Sequence, residues 1–165
     1  MAKADETILI WLPSPMGDVI LCTPALKAIR KRFVAARIAF FGNKTAKNIL
    51  MPTDLCDFWI DQRNGNFFKN VQAVKNGKFN SAVLFKNSFG SALTVWLARI
   101  PARVGYRREA RGFLLTDKLY PAKSGGGSFA PISMIDYYLA LASWLGADTE
   151  DRHPVLNIDT NATKR

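Results

Sequence analysis

The chain reads as an α/β domain built on a largely parallel sheet, and three observations lead there. Ile8-Leu9-Ile10-Trp11-Leu12 and, later, Ser81 to Phe85 are short apolar runs without polar alternation, as strands buried on both faces of a parallel sheet must be. Segments with apolar residues at helical spacing separate these runs, which is the order that strand–helix–strand units produce. Directly after the first run, Pro13, Pro15 and Gly17 break the pattern and force a turn. Asp18 closes that turn at the carboxyl edge of the first strand, where α/β sheets place ligands.

The remaining elements follow in order. Val19, Cys22, Leu26, Ile29 and Phe33 recur three and four residues apart, one apolar helical face. Pro24 is compatible with a first helical turn but not with a helix interior, so a short turn over 18–22 and a main helix from Pro24 to about Phe33 are expected, with Thr23 as N-cap. Lys27, Arg30, Lys31 and Arg32 crowd the last turns, where cations suit the negative end of the helix dipole and form a solvated face. A second strand covers 37–41, ending at Gly42-Asn43, and a helix runs from about 45 to 50. After the loop Pro52-Thr53-Asp54, a short strand spans 57–60, a helix 67–78, the strand 81–85, and a helix 91–99 that Pro101 stops. Residues 103–106 form another strand, Ser124 to Ser128 a flexible loop, and 132–145 a helix stopped by Gly146. A last short strand is expected over 155–158, followed by a polar tail, 159–165. No internal repeat is evident.

At 165 residues the chain is about one domain. No window approaches the roughly 20 apolar residues of a membrane span, and the acidic start Asp5-Glu6 leads straight into a strand, which excludes a secretion signal. Two cysteines, Cys22 and Cys56, are too few for a disulfide framework or a zinc site and read as packing thiols in a reducing cytoplasm. A single histidine, His153, excludes histidine-rich metal sites and triads. The Asn-x-Thr triplets at Asn43 and Asn161 are chance in such a protein. The net charge of +10 implies an anionic partner: nucleic acid, phosphorylated glycolipid, nucleotide or membrane surface.

The first turn lacks the G-x-G-x-x-G of a dinucleotide site. Only Gly17 is present, beside an anionic side chain that would repel phosphate. Asp18 then has two roles open to it: capping a helix, or accepting a proton or hydrogen bond from a hydroxyl-bearing partner. A second cluster comprises Lys86-Asn87-Ser88 with Arg99, Arg103, Arg107, Arg108 and Arg111. Arginine's planar fork suits phosphates and carboxylates, and both segments lie at strand ends from which they could converge on the Asp18 edge. At least half of these arginines are expected simply to snorkel over the surface. Tyr137 and Tyr138 read as packing residues. Aromatics are not interleaved with the arginines as stacking platforms, which argues against a nucleic-acid partner.

Pro13-Ser14-x-x-Gly17-Asp18 with Thr23-Pro24-Ala25-Leu26 resembles the opening of the bacterial ADP-heptose:lipopolysaccharide heptosyltransferases, glycosyltransferase family 9. Asn87-Ser88-Phe89-x-Ser91-Ala92-Leu93, Ile100-Pro101-x-Arg103-x-Gly105-Tyr106-Arg107 and Leu114-Leu115-x-Asp117 are similar in order and spacing to its heptosyltransferase II branch, and Tyr137 to Ala142 fits the same alignment. The resemblance implies a GT-B architecture, two Rossmann-like domains facing across a cleft. This chain would be the N-terminal, acceptor-binding one, a Rossmann-like three-layer domain over 1–158, with 159–165 a tail or the start of an interdomain linker and the C-terminal donor domain absent. Family members are inverting and metal-independent, so no metal or cofactor is expected.

By the same resemblance Asp18 is the general base. Ser14, Met16 and Gly17 of the first turn, with Lys86, Asn87, Ser88, Arg107, Arg108 and Arg111, would bind the lipopolysaccharide inner-core acceptor. ADP-heptose would be reached only through the missing domain. The protein would be cytoplasmic, with peripheral association at the inner membrane open to it. A chain of this length is expected to be inactive alone and prone to self-association through its exposed interdomain face. The other class left open is a non-catalytic module that binds anionic glycolipid or a membrane surface.

Overall fold

Strand β1 (Thr7–Trp11) is the middle of the molecule and shows why its sequence is apolar at every position. Ile8 and Ile10 face one core cluster with Val19, Leu26, Ile29, Ile38, Phe40 and Tyr138. Leu9 and Trp11 face a second cluster with Phe41, Val74, Leu84 and Val95 on the opposite side. A strand covered on both faces has no solvent side on which to place polar residues. The computed structural model describes residues 6–123, 125–126 and 132–156.

β1 pairs in parallel with β2 (Arg37–Gly42), Ile8 beside Ile38, and with β4 (Ser81–Leu84), Ile8 beside Ser81. β3 (Phe58–Asp61) lies outside β2, while β5 (Ala102–Tyr106) and β6 (Asp117–Leu119) extend the other side. The order is β3-β2-β1-β4-β5-β6 with all pairs parallel. This is the Rossmann-like α/β sheet, and the chain reverses its winding direction between β1 and β4. The crevice outside the carboxyl ends of these two strands is where such sheets bind ligands. Helices α1 (Met16–Leu21), α2 (Thr23–Arg32), α3 (Lys44–Leu50) and α6 (Met134–Trp144) cover one face. Helices α4 (Phe67–Asn76) and α5 (Phe89–Leu97) cover the other. No helix among the described residues is long and apolar enough to cross a membrane.

Several helices start where a side chain satisfies a free backbone N–H. Asn43 accepts from Ala46 N at 2.9 Å, Asn66 from Lys69 N at 3.1 Å and Ser88 from Ser91 N at 3.1 Å. Two capping expectations fail. Asp18 caps nothing: it is the third residue of α1, whose N-cap position is Pro15. Thr23 is the first residue of α2 and its buried hydroxyl donates back to Ile20 O at 2.7 Å, because Cys22 already occupies the cap position. Both cysteines are buried thiols.

The basic end of α2 is also more than a solvated face. Arg30 Nη2 donates to Phe33, Val34 and Ala36 carbonyls at 2.9–3.0 Å, and its Nη1 meets Asp57 at 2.9 Å. Residues 112–114 form a 3₁₀ turn that leads into β6, and neither was foreseen. β6 has three residues, two of them charged, so it carries no apolar run. Residues 155–156 are not in a strand; Val155 N donates instead to Thr23 Oγ1 at 2.8 Å. Residues 157–158, the tail 159–165 and most of the 124–128 loop lie outside the described residues.

Asp57 joins three elements: its Oδ2 accepts from Arg30 and from Ile38 N at 2.7 Å, just before β3. Desolvation alone would raise its pKa, but the Ile38 N–H and the Arg30 guanidinium outweigh it and hold the carboxyl below its ordinary 3.8. A carboxylate depressed by folding contributes stability above its unfolded pKa that is lost as pH falls below that value. Asp57→Asn is expected to lower stability by about 1 kcal/mol at pH 7 and to flatten the acid limb of a melting-temperature profile below pH 4, measured by circular dichroism.

Candidate functional site

Asp18 stands at the open carboxyl rim. After β1 the chain passes Pro13 and Pro15 and enters α1, whose first backbone bond is Val19 N to Pro15 O at 3.0 Å. The carboxylate is half-buried, and no hydrogen bond or ion pair to it is made among the described residues. Its titratable neighbours are the Cys22 thiol and the Tyr138 phenol. Burial, and secondarily the Asp18 charge, pushes both well above their ordinary values, so both are neutral. Met16 and Gly17 beside it are exposed, and a Cβ at Gly17 would meet only open space.

Lys86 ties this turn to the next strand. Its backbone N donates to Trp11 O at 3.3 Å, and its Nζ donates to Ser14 Oγ at 2.8 Å. Partial burial pulls the ammonium below the ordinary lysine value. Ser14 and Lys86 are thus held together at the β1–β4 switch point, four residues from Asp18.

The organising group is Arg111, a completely buried arginine. Nε donates to Tyr106 O at 3.0 Å. Nη1 reaches Lys86 O at 2.6 Å, Ser88 O at 3.3 Å and Ser91 Oγ at 3.1 Å, and Nη2 reaches Asn87 Oδ1 at 3.0 Å. Every residue of 86–88 is therefore fixed by one side chain. Desolvation pulls the guanidinium down to about 10, leaving it cationic at neutral pH. Gly105 makes room for it: a Cβ there would lie 3.2 Å from Nη2 and 3.3 Å from Leu84 Cβ. Arg111 thus departs from its expected role. With its fork closed on the protein, it positions Lys86, Asn87 and Ser88 and does not itself face the rim.

Asn87 passes the order on, donating through Nδ2 to Tyr137 Oη at 2.6 Å. Tyr137 packs as expected, its ring stacked on Tyr106 at 3.9 Å, yet its hydroxyl also meets Arg108 Nη1 at 3.5 Å. Sequence reasoning missed this polar role because helical spacing locates the ring and says nothing of the hydroxyl. Arg107 is exposed, its guanidinium 5.8 Å from the Tyr120 ring and its chain lying over Gly112, where a Cβ would come within 2.9 Å. Arg107, Arg108, Phe113, Tyr120 and Lys123 line an open hollow of about 500 Å³.

The expected arginine cluster splits. Arg107, Arg108 and Arg111 follow the carboxyl end of β5. Arg99 and Arg103 belong to its amino end, across the sheet from Asp18. Arg103 donates to Leu114 O at 2.6 Å and Ile100 O at 2.7 Å. One-dimensional proximity hid this, because β5 itself separates the two groups.

Known proteins share this fold. No protein-family profile matches the chain. It is 27% identical over 146 residues to lipopolysaccharide heptosyltransferase 2 of Escherichia coli strain K12, over 82% of this chain and 39% of that protein. The solved structure of the Escherichia coli ADP-heptose lps heptosyltransferase II superposes with a TM-score of 0.68 at 27% identity, over 82% of this chain and 40% of the other. The chain is similar to the heptosyltransferases of glycosyltransferase family 9. A family 9 glycosyl transferase from Veillonella parvula matches with a TM-score of 0.78 at 17% identity, over 94% of this chain and 46% of that one. The Escherichia coli heptosyltransferase WaaC with ADP matches at 0.71 and 17%, over 90% and 50%. The last two establish the fold alone. The heptosyltransferase-like chain spans about two fifths of the length of the curated relative it matches.

Replacing Arg111 by Met would take a charged donor from five acceptors and leave Asn87 Oδ1 without a partner in the interior. Arg111→Met is expected to cost about 3–5 kcal/mol, read from the denaturant midpoint, and Arg111→Lys should recover only a minority of it because an ammonium cannot reproduce the fork.

Proposed function

We propose that this domain is the acceptor-holding half of an inverting heptosyltransferase and that Asp18 is its general base. The observation that carries this is the Asp18 carboxylate: half-exposed, unpaired among the described residues, flanked by neutral groups, and on the same rim as Lys86, Arg107 and Arg108. The acceptor is lipopolysaccharide, as the names of the relatives suggest, and in this reading the reacting hydroxyl belongs to one of its inner-core sugars. One of its hydroxyl oxygens attacks the anomeric carbon of ADP-heptose. The new C–O bond forms as the bond to the diphosphate breaks, ADP leaves with the electron pair, and the hydroxyl proton passes to Asp18. Ser14, Met16 and Gly17 frame the attacking sugar. Lys86, Asn87 and Ser88 contact it from β4, and Arg107 and Arg108 neutralise its acid and phosphate groups.

Donor binding belongs in this proposal to a second domain, outside these 165 residues, and the work is done on the cytoplasmic side of the inner membrane with the basic rim toward the anionic acceptor. A positioned general base contributes about 10²–10⁴-fold, while donor orientation and stabilisation of the departing diphosphate contribute more.

With ADP-heptose and a deacylated inner-core acceptor, the 165-residue chain alone is expected to transfer heptose more than about 10³-fold more slowly than a two-domain heptosyltransferase; near-normal turnover defeats the division of labour. In a two-domain enzyme carrying this half, Asp18→Asn is expected to lower kcat about 10²–10⁴-fold with acceptor KM little changed. Unchanged kcat would remove Asp18 from the chemistry.

A further inference from the structure

Helix α5 is apolar on its outer face as well as its inner one. Ser91, Ala92, Thr94 and Val95 are buried against the sheet. Phe89, Leu93, Trp96 and Leu97 fall at i, i+4, i+7 and i+8, a single stripe on the opposite side. Trp96 is 47% exposed, and Phe89 and Leu97 are exposed with it. No residue of the helix is charged. At the start of the stripe the Phe89 ring meets that of the exposed Phe113, with centroids 6.1 Å apart. Contiguous exposed apolar side chains of this kind mark an interaction face.

Charge indicates what covers it. From Gln62 to Arg108, a stretch that includes α4, β4, α5 and β5, the chain has nine Lys and Arg and no Asp or Glu. Lys75 and Arg99 line the same hollow as Trp96 and Leu97. Lys78 and Arg99 each stand three residues before the paired strand starts Ser81 and Ala102, so α4 and α5 deliver both cations to one edge. Both residues are left-handed, with φ 51° and 60°. Arg99 N donates to Trp96 O at 3.0 Å and Ile100 N to Val95 O at 3.2 Å, a helix ending in which glycine is the usual residue. Cations suit the helix dipole here, but a side chain in this conformation costs more than glycine. None of Lys75, Lys78 and Arg99 makes an ion pair among the described residues.

We propose that the outer face of α5, with the ends of α4 and α5, is the surface by which this protein lies on an anionic phospholipid membrane. Phe89, Leu93, Trp96 and Leu97 enter the boundary between headgroups and acyl chains, and Lys75, Lys78 and Arg99 hold lipid phosphates. A second copy of the chain fits this face less well, because it would set like charges against one another. Since α5 begins directly after Ser88, a membrane lying along it reaches the carboxyl rim. The inference does not depend on the roles given to Asp18 or to the acceptor.

The test is flotation of the 165-residue chain with vesicles of phosphatidylcholine alone or mixed with phosphatidylglycerol. Binding is expected only with the anionic mixture and should weaken as salt rises. Lys78→Gly combined with Arg99→Gly should bind about 30-fold more weakly, with a melting temperature unchanged or raised because glycine relaxes both positions. Trp96→Gln combined with Leu97→Gln should lose about 10-fold or more. The chain has four tryptophans, so bromine-labelled acyl chains should quench a fluorescence component that is absent in Trp96→Phe. The proposal is overturned if anionic vesicles are not bound, if the two glycine substitutions leave binding unchanged, or if the quenching survives in Trp96→Phe. It is equally overturned if sedimentation shows a dimer that Trp96→Gln with Leu97→Gln dissociates. None of these results bears on Asp18 or on the acceptor-half proposal.

Discussion

A buried guanidinium decides the shape of this rim. Arg111 has no solvent exposure and directs its donors to three backbone carbonyls, one hydroxyl and one side-chain amide. A charge without water is tolerated only when its hydrogen bonds are nearly all made, so the groups it touches lose their freedom to move. Those groups are the end of β5 and residues 86–91, the segment that supplies Lys86, Asn87 and Ser88. The glycine at 105 answers the same need for space.

The order imposed by Arg111 spreads in two directions. Through Asn87 it reaches Tyr137 and then Arg108, so α6 and the loop after β5 are set relative to β4. Through Lys86 it reaches Ser14 and the turn that carries Asp18. Charge is distributed along this path with a gradient of burial: Arg111 is fully enclosed, Lys86 half-buried, Arg107 exposed. Only the outer cations can meet a ligand. The inner one makes the outer ones stay where they are.

The parallel sheet explains why the candidate site residues gather at one edge. β1 and β4 are covered on both faces, so their side chains are committed to packing and functional groups must come from the segments just past their carboxyl ends. Ser14, Asp18, Lys86, Asn87 and Ser88 all do. Trp11 obeys the same rule: its ring packs on Phe41 with centroids 4.4 Å apart and its indole N–H is buried.

The order of elements and the position of the first turn were legible in the chain alone, because both depend on local physics: unbroken apolar runs leave no exposed strand face, and Pro13, Pro15 and Gly17 forbid continuation. The short polar strand β6 was not legible, since two of its three residues are charged and only pairing with β5 makes them a strand. Which arginine faces outward, which is enclosed and which lies on the far edge was decided by the tertiary structure. Arg99, Arg103, Arg107 and Arg111 are one cluster in sequence, but a strand crosses the sheet between the first two and the last two, and burial is a property of what folds over a residue.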